Sequence, residues 1–159
     1  MAPYYTIVLK IDAALAAQVD RAGLRAAARA ALEQQQAPGP GTLSVMVTDD
    51  AALRRLNSQF LGIDRPTDVL SFPNAETEPE SGVRYYGDIA ISLPRAQAQA
   101  RVAKHSLLAE LQLLVAHGVL HLLGHDHARA QDKARMWQAQ GAILSALAPP
   151  LRPRRPRGG

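Results

Sequence analysis

One apolar segment, residues 110–127, constrains this chain more than any other feature. Leucine, valine and alanine recur at helical spacing up to Leu123, which predicts a largely buried helix. His117 and His121 are four residues apart, so both imidazoles lie on one face of that helix, one turn apart. Gly124 predicts the helix end, because glycine adopts the left-handed turn at little energetic cost.

The turn at Gly124 can bring His127 back toward the two helical histidines. The pattern H-x3-H-x2-G-x2-H offers three neutral nitrogen donors and leaves a fourth position for water, which is how catalytic zinc is held. A lone histidine on an apolar helix is usually a core residue, but four of the five histidines fall within eleven residues here. We therefore predict a zinc site, one ion per chain, formed by His117, His121 and His127.

The other histidines and the acid of this segment have different expected roles. Asp126 either orients a ligand ring or caps the next helix, and the sequence leaves both roles open. His125 follows the glycine directly and is expected to point outward, and His105 is expected at the surface. The same spacing occurs in metzincin proteases, but their general-base glutamate is replaced here by Gly118, which argues against that class.

Short β-branched runs and alanine- and leucine-rich stretches make up the rest of the chain. Four strands are predicted at 5–9, 43–47, 67–72 and 88–92, and helices at about 18–35, 50–60, 95–104, 106–123 and 129–147. Four strands with about five helices predict a mixed α/β layer fold. Its size suits one domain, residues 1–148.

The last eleven residues, 149–159, form a proline- and arginine-rich tail that is expected to be disordered, because prolines and like charges alternate in it. Its four arginines equal the whole net charge of +4, so the rest of the chain is close to neutral. The tail is either a solvated terminus or an arm that seeks phosphate groups.

Composition excludes several kinds of chemistry. The absence of cysteine excludes disulfides, thiolate nucleophiles and sulfur-ligated zinc. Aromatic residues are only 4% of the chain, which disfavours a sheet platform that binds RNA mainly by stacking. No signal peptide or membrane span is predicted, so the expected location is the cytoplasm.

Three blocks of sequence resemble one protein family. HGVLHLLGHDH, residues 117–127, is similar to the signature H-G-x-L-H-L-x-G-Y-D-H of the bacterial YbeY family, with His125 where the family usually has tyrosine. PTDVLSFP, residues 66–73, and GDIAIS, residues 87–92, resemble two further blocks of that family, and Glu110 and Met136 fall at matching places.

This resemblance implies an α+β, zincin-like fold with the metal site on a central helix. It also implies zinc held by His117, His121 and His127. The implied activity is single-strand-specific, metal-dependent hydrolysis of RNA in 16S rRNA 3′-end maturation and ribosome quality control. Implied partners are single-stranded rRNA, the small ribosomal subunit and assembly factors. Neither DNA nor a membrane is expected as a partner.

One departure from the family affects the expected activity. The family has an arginine near the metal where this chain has Leu61, so the candidates for further catalytic residues are Arg65, first among the cations, and Asp126. Arg84 is a further possible cation. The PTDVLSFP block is equally well explained as a core strand between two prolines. The alternative function is that of a catalytically weak zinc protein that docks on the ribosome during assembly.

Overall fold

The structure is a computed structural model that describes residues 4–125 and 129–147. Its strands and helices follow the chain in the order β1 (Tyr5–Ile11), a 3-10 turn (Ala16–Gln18), α1 (Arg21–Gln34), β2 (Gly41–Thr48), α2 (Asp50–Leu61), β3 (Val69–Pro73), β4 (Arg84–Ser92), α3 (Leu93–Ala103), α4 (Leu107–Leu122) and α5 (Ala130–Leu147). The predicted tail and the predicted end of the domain at residue 148 lie outside the described residues.

The strands form one mixed sheet in the order β1-β2-β4-β3. β1 and β2 are parallel, β2 and β4 are parallel, and β3 runs antiparallel to β4 at the edge of the sheet. Parallel neighbours need a crossover connection, and α1 supplies the one between β1 and β2. The predicted α+β class with a mixed four-stranded sheet and five helices is confirmed.

The two faces of the sheet carry different apolar clusters. The larger cluster includes Val45 of β2 and Ile89 of β4, and it packs beneath α1, α4 and α5. The smaller one lies on the opposite face, where Leu53 of α2 packs against Leu70 of β3 and Ala90 of β4. None of the described helices is long and apolar enough to cross a lipid bilayer.

α4, the helix with the two histidines, lies directly against the larger cluster. A Cβ atom at Gly118 would come within 2.9 Å of the Cγ2 atom of Ile89, whose side chain is fully buried. Glycine at this position therefore lets the helix approach β4 closely. This contact confirms that the histidine helix is central in the fold.

All four strands differ in their bounds from the sequence prediction, and the differences in β4 and β3 have a clear reason in the sheet. β4 begins at Arg84 rather than at residue 88, because its first residues pair with the start of β2 across a register shift at Thr42 and Leu43. This pairing partner lies about forty residues away in the sequence, so local patterns do not reveal it. β3 begins at Val69 rather than at residue 67 and includes Pro73, which is tolerated because β3 is an edge strand.

Gly118→Ala should lower the melting temperature. The added methyl group meets a buried branched side chain, and overpacking of this kind typically costs about 1–3 kcal/mol, more than the roughly 1 kcal/mol that alanine gains over glycine in a helix. The control is Gly141→Ala in α5, where nothing lies within 4 Å of the new methyl group, and this variant should be as stable as the parent or more stable. Thermal unfolding of both variants gives the comparison, and equal gains in stability would contradict the close contact.

Candidate metal centre

The histidine helix has a capping contact at its start and a glycine turn at its end. At its start, the Ser106 hydroxyl accepts a hydrogen bond from the backbone N–H of Ala109 at 3.0 Å. At its end, Gly124 has a φ of +95°, a backbone conformation that residues with a Cβ atom rarely adopt. The backbone N–H of His125 then donates to the carbonyl of Leu120 at 2.9 Å. The predicted helix end at Gly124 is confirmed.

His117 and His121 bring their imidazole rings together on one side of α4. The two Nε2 atoms are 3.1 Å apart, and the ring centroids are 4.6 Å apart at an interplanar angle of 65°. Two nitrogens that bind one tetrahedral zinc at about 2.0–2.1 Å lie about 3.3 Å from each other. The observed separation therefore fits a shared metal ion, and it also fits an N–H···N hydrogen bond between two neutral rings.

Gln140 of α5 contacts the first ring. Its Oε1 atom lies 3.3 Å from Nδ1 of His117, so Nδ1 donates and Nε2 is left as the nitrogen that faces His121. The sequence pattern did not predict a role for this residue, which lies 23 positions after His117. One signal could have revealed it: Gln140 is a polar residue close in sequence to Met136, Ala139 and Ile143, which are the buried residues of α5.

A groove runs between the histidine pair and the edge strand β3. Its volume is about 370 Å³. The side chains that line it are Thr67, Asp68, Val69, Leu70, Ser71, Pro73, His117 and His121. The Ser71 hydroxyl donates to the backbone carbonyl of Gly118 at 3.3 Å, which ties β3 to α4 beside the rings. The PTDVLSFP block thus contains a strand of the sheet and also forms one wall of the candidate site.

A second recess also adjoins His117. It has a volume of about 220 Å³ and is lined by His117, Lys133, Met136, Trp137 and Gln140. Four of these five residues belong to α5, so this helix forms its other wall. His117 therefore lines both the groove along β3 and a recess that contains a cation and an aromatic ring.

The remaining histidines of the described chain make other contacts. Nε2 of His125 lies 2.7 Å from Oε1 of Gln35, near the end of α1. Nε2 of His105 lies 2.7 Å from Oε1 of Glu110, a buried carboxyl group on α4. His127 and Asp126 lie outside the described residues, and their roles stay predictions. Within residues 4–125 and 129–147 no group of three or more metal-binding side chains is found.

Leu61, which stands where the family has an arginine, and Arg65, the candidate replacement cation, both lie at the surface. Leu61 is the last residue of α2 and is 52% exposed, so it is not a core residue. Arg65 is exposed as well, and its backbone carbonyl accepts a hydrogen bond from Nδ2 of Asn57 at 3.0 Å. Neither belongs to the set of described side chains that line the groove. The catalytic role of Arg65 stays a prediction.

The GDIAIS block is divided between the two faces of the sheet. Ile89 packs beneath Gly118, whereas Asp88 accepts hydrogen bonds from the hydroxyls of Ser44 and Tyr85 on the face that α2 partly covers. Burial, followed by the hydrogen bond with Asp88, raises the pKa of Tyr85 above its ordinary value. This polar cluster is separate from the histidine pair.

Fold and site together define a mixed α/β protein with a pair of histidines on a central helix beside an edge strand, at a separation that fits a shared metal ion. Residues 10–148 match the family model described as Endoribonuclease YbeY. The chain therefore belongs to the YbeY endoribonuclease family, as the sequence resemblance indicated, and this is a family of RNA-hydrolysing enzymes.

Individual relatives agree with this assignment. An endoribonuclease YbeY of Roseiflexus sp. (strain RS-1) is 44% identical over 148 residues, which are 89% of this chain and 92% of the relative. That of Chloroflexus aggregans (strain MD-66 / DSM 9485) is 42% identical over 152 residues, 92% of this chain and 98% of the relative. The solution structure of TM1509 from Thermotoga maritima is 27% identical with a TM-score of 0.59, and the match covers 89% of each chain.

Leu61→Arg should leave the folded state as stable as the parent. The side chain is half-exposed at the end of α2, and surface substitutions of this kind usually change stability by no more than about 0.5 kcal/mol. Leu53→Arg is the control on the same helix, because Leu53 is fully buried and an unpaired buried charge costs several kcal/mol. Melting temperatures of both variants test this placement, and a large loss of stability in Leu61→Arg would contradict it.

Proposed function

We propose that this chain is a zinc-dependent, single-strand-specific endoribonuclease of the cytoplasm. It acts in 16S rRNA 3′-end maturation and ribosome quality control. Its partners are the small ribosomal subunit and the assembly factors of that subunit. The observation that carries the proposal is the pair of Nε2 atoms of His117 and His121, 3.1 Å apart at the groove along β3. Membership of the YbeY family supports RNA as the substrate.

The residues proposed to hold zinc are His117 and His121 through Nε2, with His127 as the third ligand. When bound, zinc lowers the pKa of a coordinated water toward about 7 and offsets negative charge on a phosphodiester. The chain's own residues prepare the site. Gln140 holds the proton on Nδ1 of His117, which leaves the Nε2 lone pair directed toward His121. Ser71 keeps the wall of the groove in contact with α4.

The alternative is a catalytically weak zinc protein whose main function is to dock on the assembling small ribosomal subunit. Two observations favour it. Leu61 replaces the arginine of the family, and the described lining of the groove contains no lysine or arginine. The two functions differ in whether the metal-loaded protein cuts RNA.

Cleavage of a single-stranded RNA by the zinc-loaded full-length chain tests the proposal. His121→Ala removes one of the paired nitrogens and should abolish both stoichiometric zinc binding and cleavage. The matched control is His105→Ala, whose ring contacts Glu110 instead, and it should keep both properties. Elemental analysis and gel assays give the two readouts. Equal cleavage by the parent and His121→Ala, or none by either, would overturn the proposed activity.

Gln140→Leu should weaken zinc binding while the fold is retained. Loss of the acceptor on Nδ1 removes the contact that orients His117, and loss of such a partner typically costs about 10- to 100-fold in metal affinity. Gln140→Glu keeps an acceptor and should bind zinc like the parent. Gln138→Leu is the control on the exposed side of α5. Competition titration with a chelator measures the affinity, and an unchanged value for Gln140→Leu would rule out the orienting role.

A further inference from the structure

Trp137 is the only tryptophan of the chain and is unusually placed for this residue type. Tryptophan side chains are on average highly buried, yet Trp137 is 65% exposed on α5. Its neighbours on the buried side of the helix, Met136 and Ala139, already supply the packing against the core. The indole ring is therefore available to a ligand rather than needed for the core.

The exposed ring lies at the recess that adjoins the histidine pair. Trp137 lines the cavity of about 220 Å³ together with His117, Met136 and Gln140. Gln140 is in turn 3.3 Å from the ring of His117. The aromatic surface thus lies next to the side chain that is proposed to bind the metal.

A cation completes this recess. Lys133 precedes Trp137 by four residues, so the two side chains lie one helical turn apart on the same face, and both line the recess. Single-stranded nucleic acids are bound by this combination, in which bases stack on aromatic rings and lysine or arginine contacts the backbone phosphates. A duplex does not offer free base faces to such a ring.

We propose that Trp137 is a stacking platform for one nucleobase of single-stranded RNA, and that Lys133 contacts a neighbouring phosphate of the same strand. The strand then passes His117 and continues into the groove along β3. This inference rests on the proposed function, since it names the part of the RNA that binds beside the cleavage site. Trp137 is a substrate-positioning residue and takes no part in the chemical step.

The sole tryptophan makes direct observation possible. Titration of the full-length protein with oligouridylate should quench the tryptophan fluorescence in a saturable way, with strand integrity checked on a gel. An abasic strand of the same length keeps the phosphates but offers no base to stack, and it should leave the fluorescence unchanged. No quenching by oligouridylate, or equal quenching by both strands, would overturn the platform.

Affinities of labelled oligouridylate, measured by fluorescence anisotropy, give the second test. Trp137→Ala should weaken binding about fivefold or more, since stacking of one base contributes about 5- to 150-fold in affinity. Trp137→Phe keeps a ring and should retain most of the affinity. Phe60→Ala removes another exposed aromatic, on α2, and should bind like the parent. Parent-like affinity in Trp137→Ala, with an unchanged melting temperature, would overturn the inference.

The cleavage assay separates this inference from the proposed function. A platform that only binds substrate should raise KM in Trp137→Ala and leave kcat nearly unchanged. Binding that depends on Trp137, without cleavage by the zinc-loaded parent, would support the platform and overturn the nuclease. Cleavage with the same KM in the parent and Trp137→Ala would overturn the platform and leave the nuclease standing.

Discussion

The close packing of α4 on β4 is the constraint on which the rest of the site depends. Gly118 lets the helix backbone approach the fully buried Ile89, and the hydroxyl of Ser71 reaches the carbonyl of the same glycine from β3. These contacts fix the height of α4 above the sheet. Because His117 and His121 flank Gly118 on the helix, their distance from the groove wall is fixed as well.

The same helix has to bury apolar side chains and present two polar rings at a surface. Val119 and Leu120 are fully buried, whereas the rings of His117 and His121 are only partly buried. α5 makes this arrangement stable, because Gln140 satisfies the ring nitrogen that points away from the groove. A carboxylate in place of Gly118, as metzincins have, would have no room against β4. The absence of a general base at this position therefore has a packing reason in this fold.

Local sequence signals predicted the parts of the site that are close in the chain. The helix, the spacing of the two histidines and the stop at Gly124 all follow from residues within one segment. The start of β4 does not follow from nearby residues, because Arg84 pairs with β2, which lies about forty residues earlier in the chain. Gln140 was missed for the same reason, since its contact with His117 forms only when α5 packs against α4. The exposure of Leu61 likewise depends on how α2 lies on the sheet, which its own sequence leaves open.

The charge distribution restricts how RNA can be held. The four arginines of the tail equal the net charge of +4, so the remaining sequence carries as many acidic as basic residues. Affinity of the domain for a phosphate backbone cannot then arise from a strong overall positive potential. It has to come from contacts at short range, and two candidates for them lie next to His117: the proposed metal-binding pair of nitrogens and the exposed indole of Trp137 with Lys133 nearby. In the proposed function and the proposed stacking role, these contacts need accessible bases and phosphates, which favours single-stranded over double-stranded RNA.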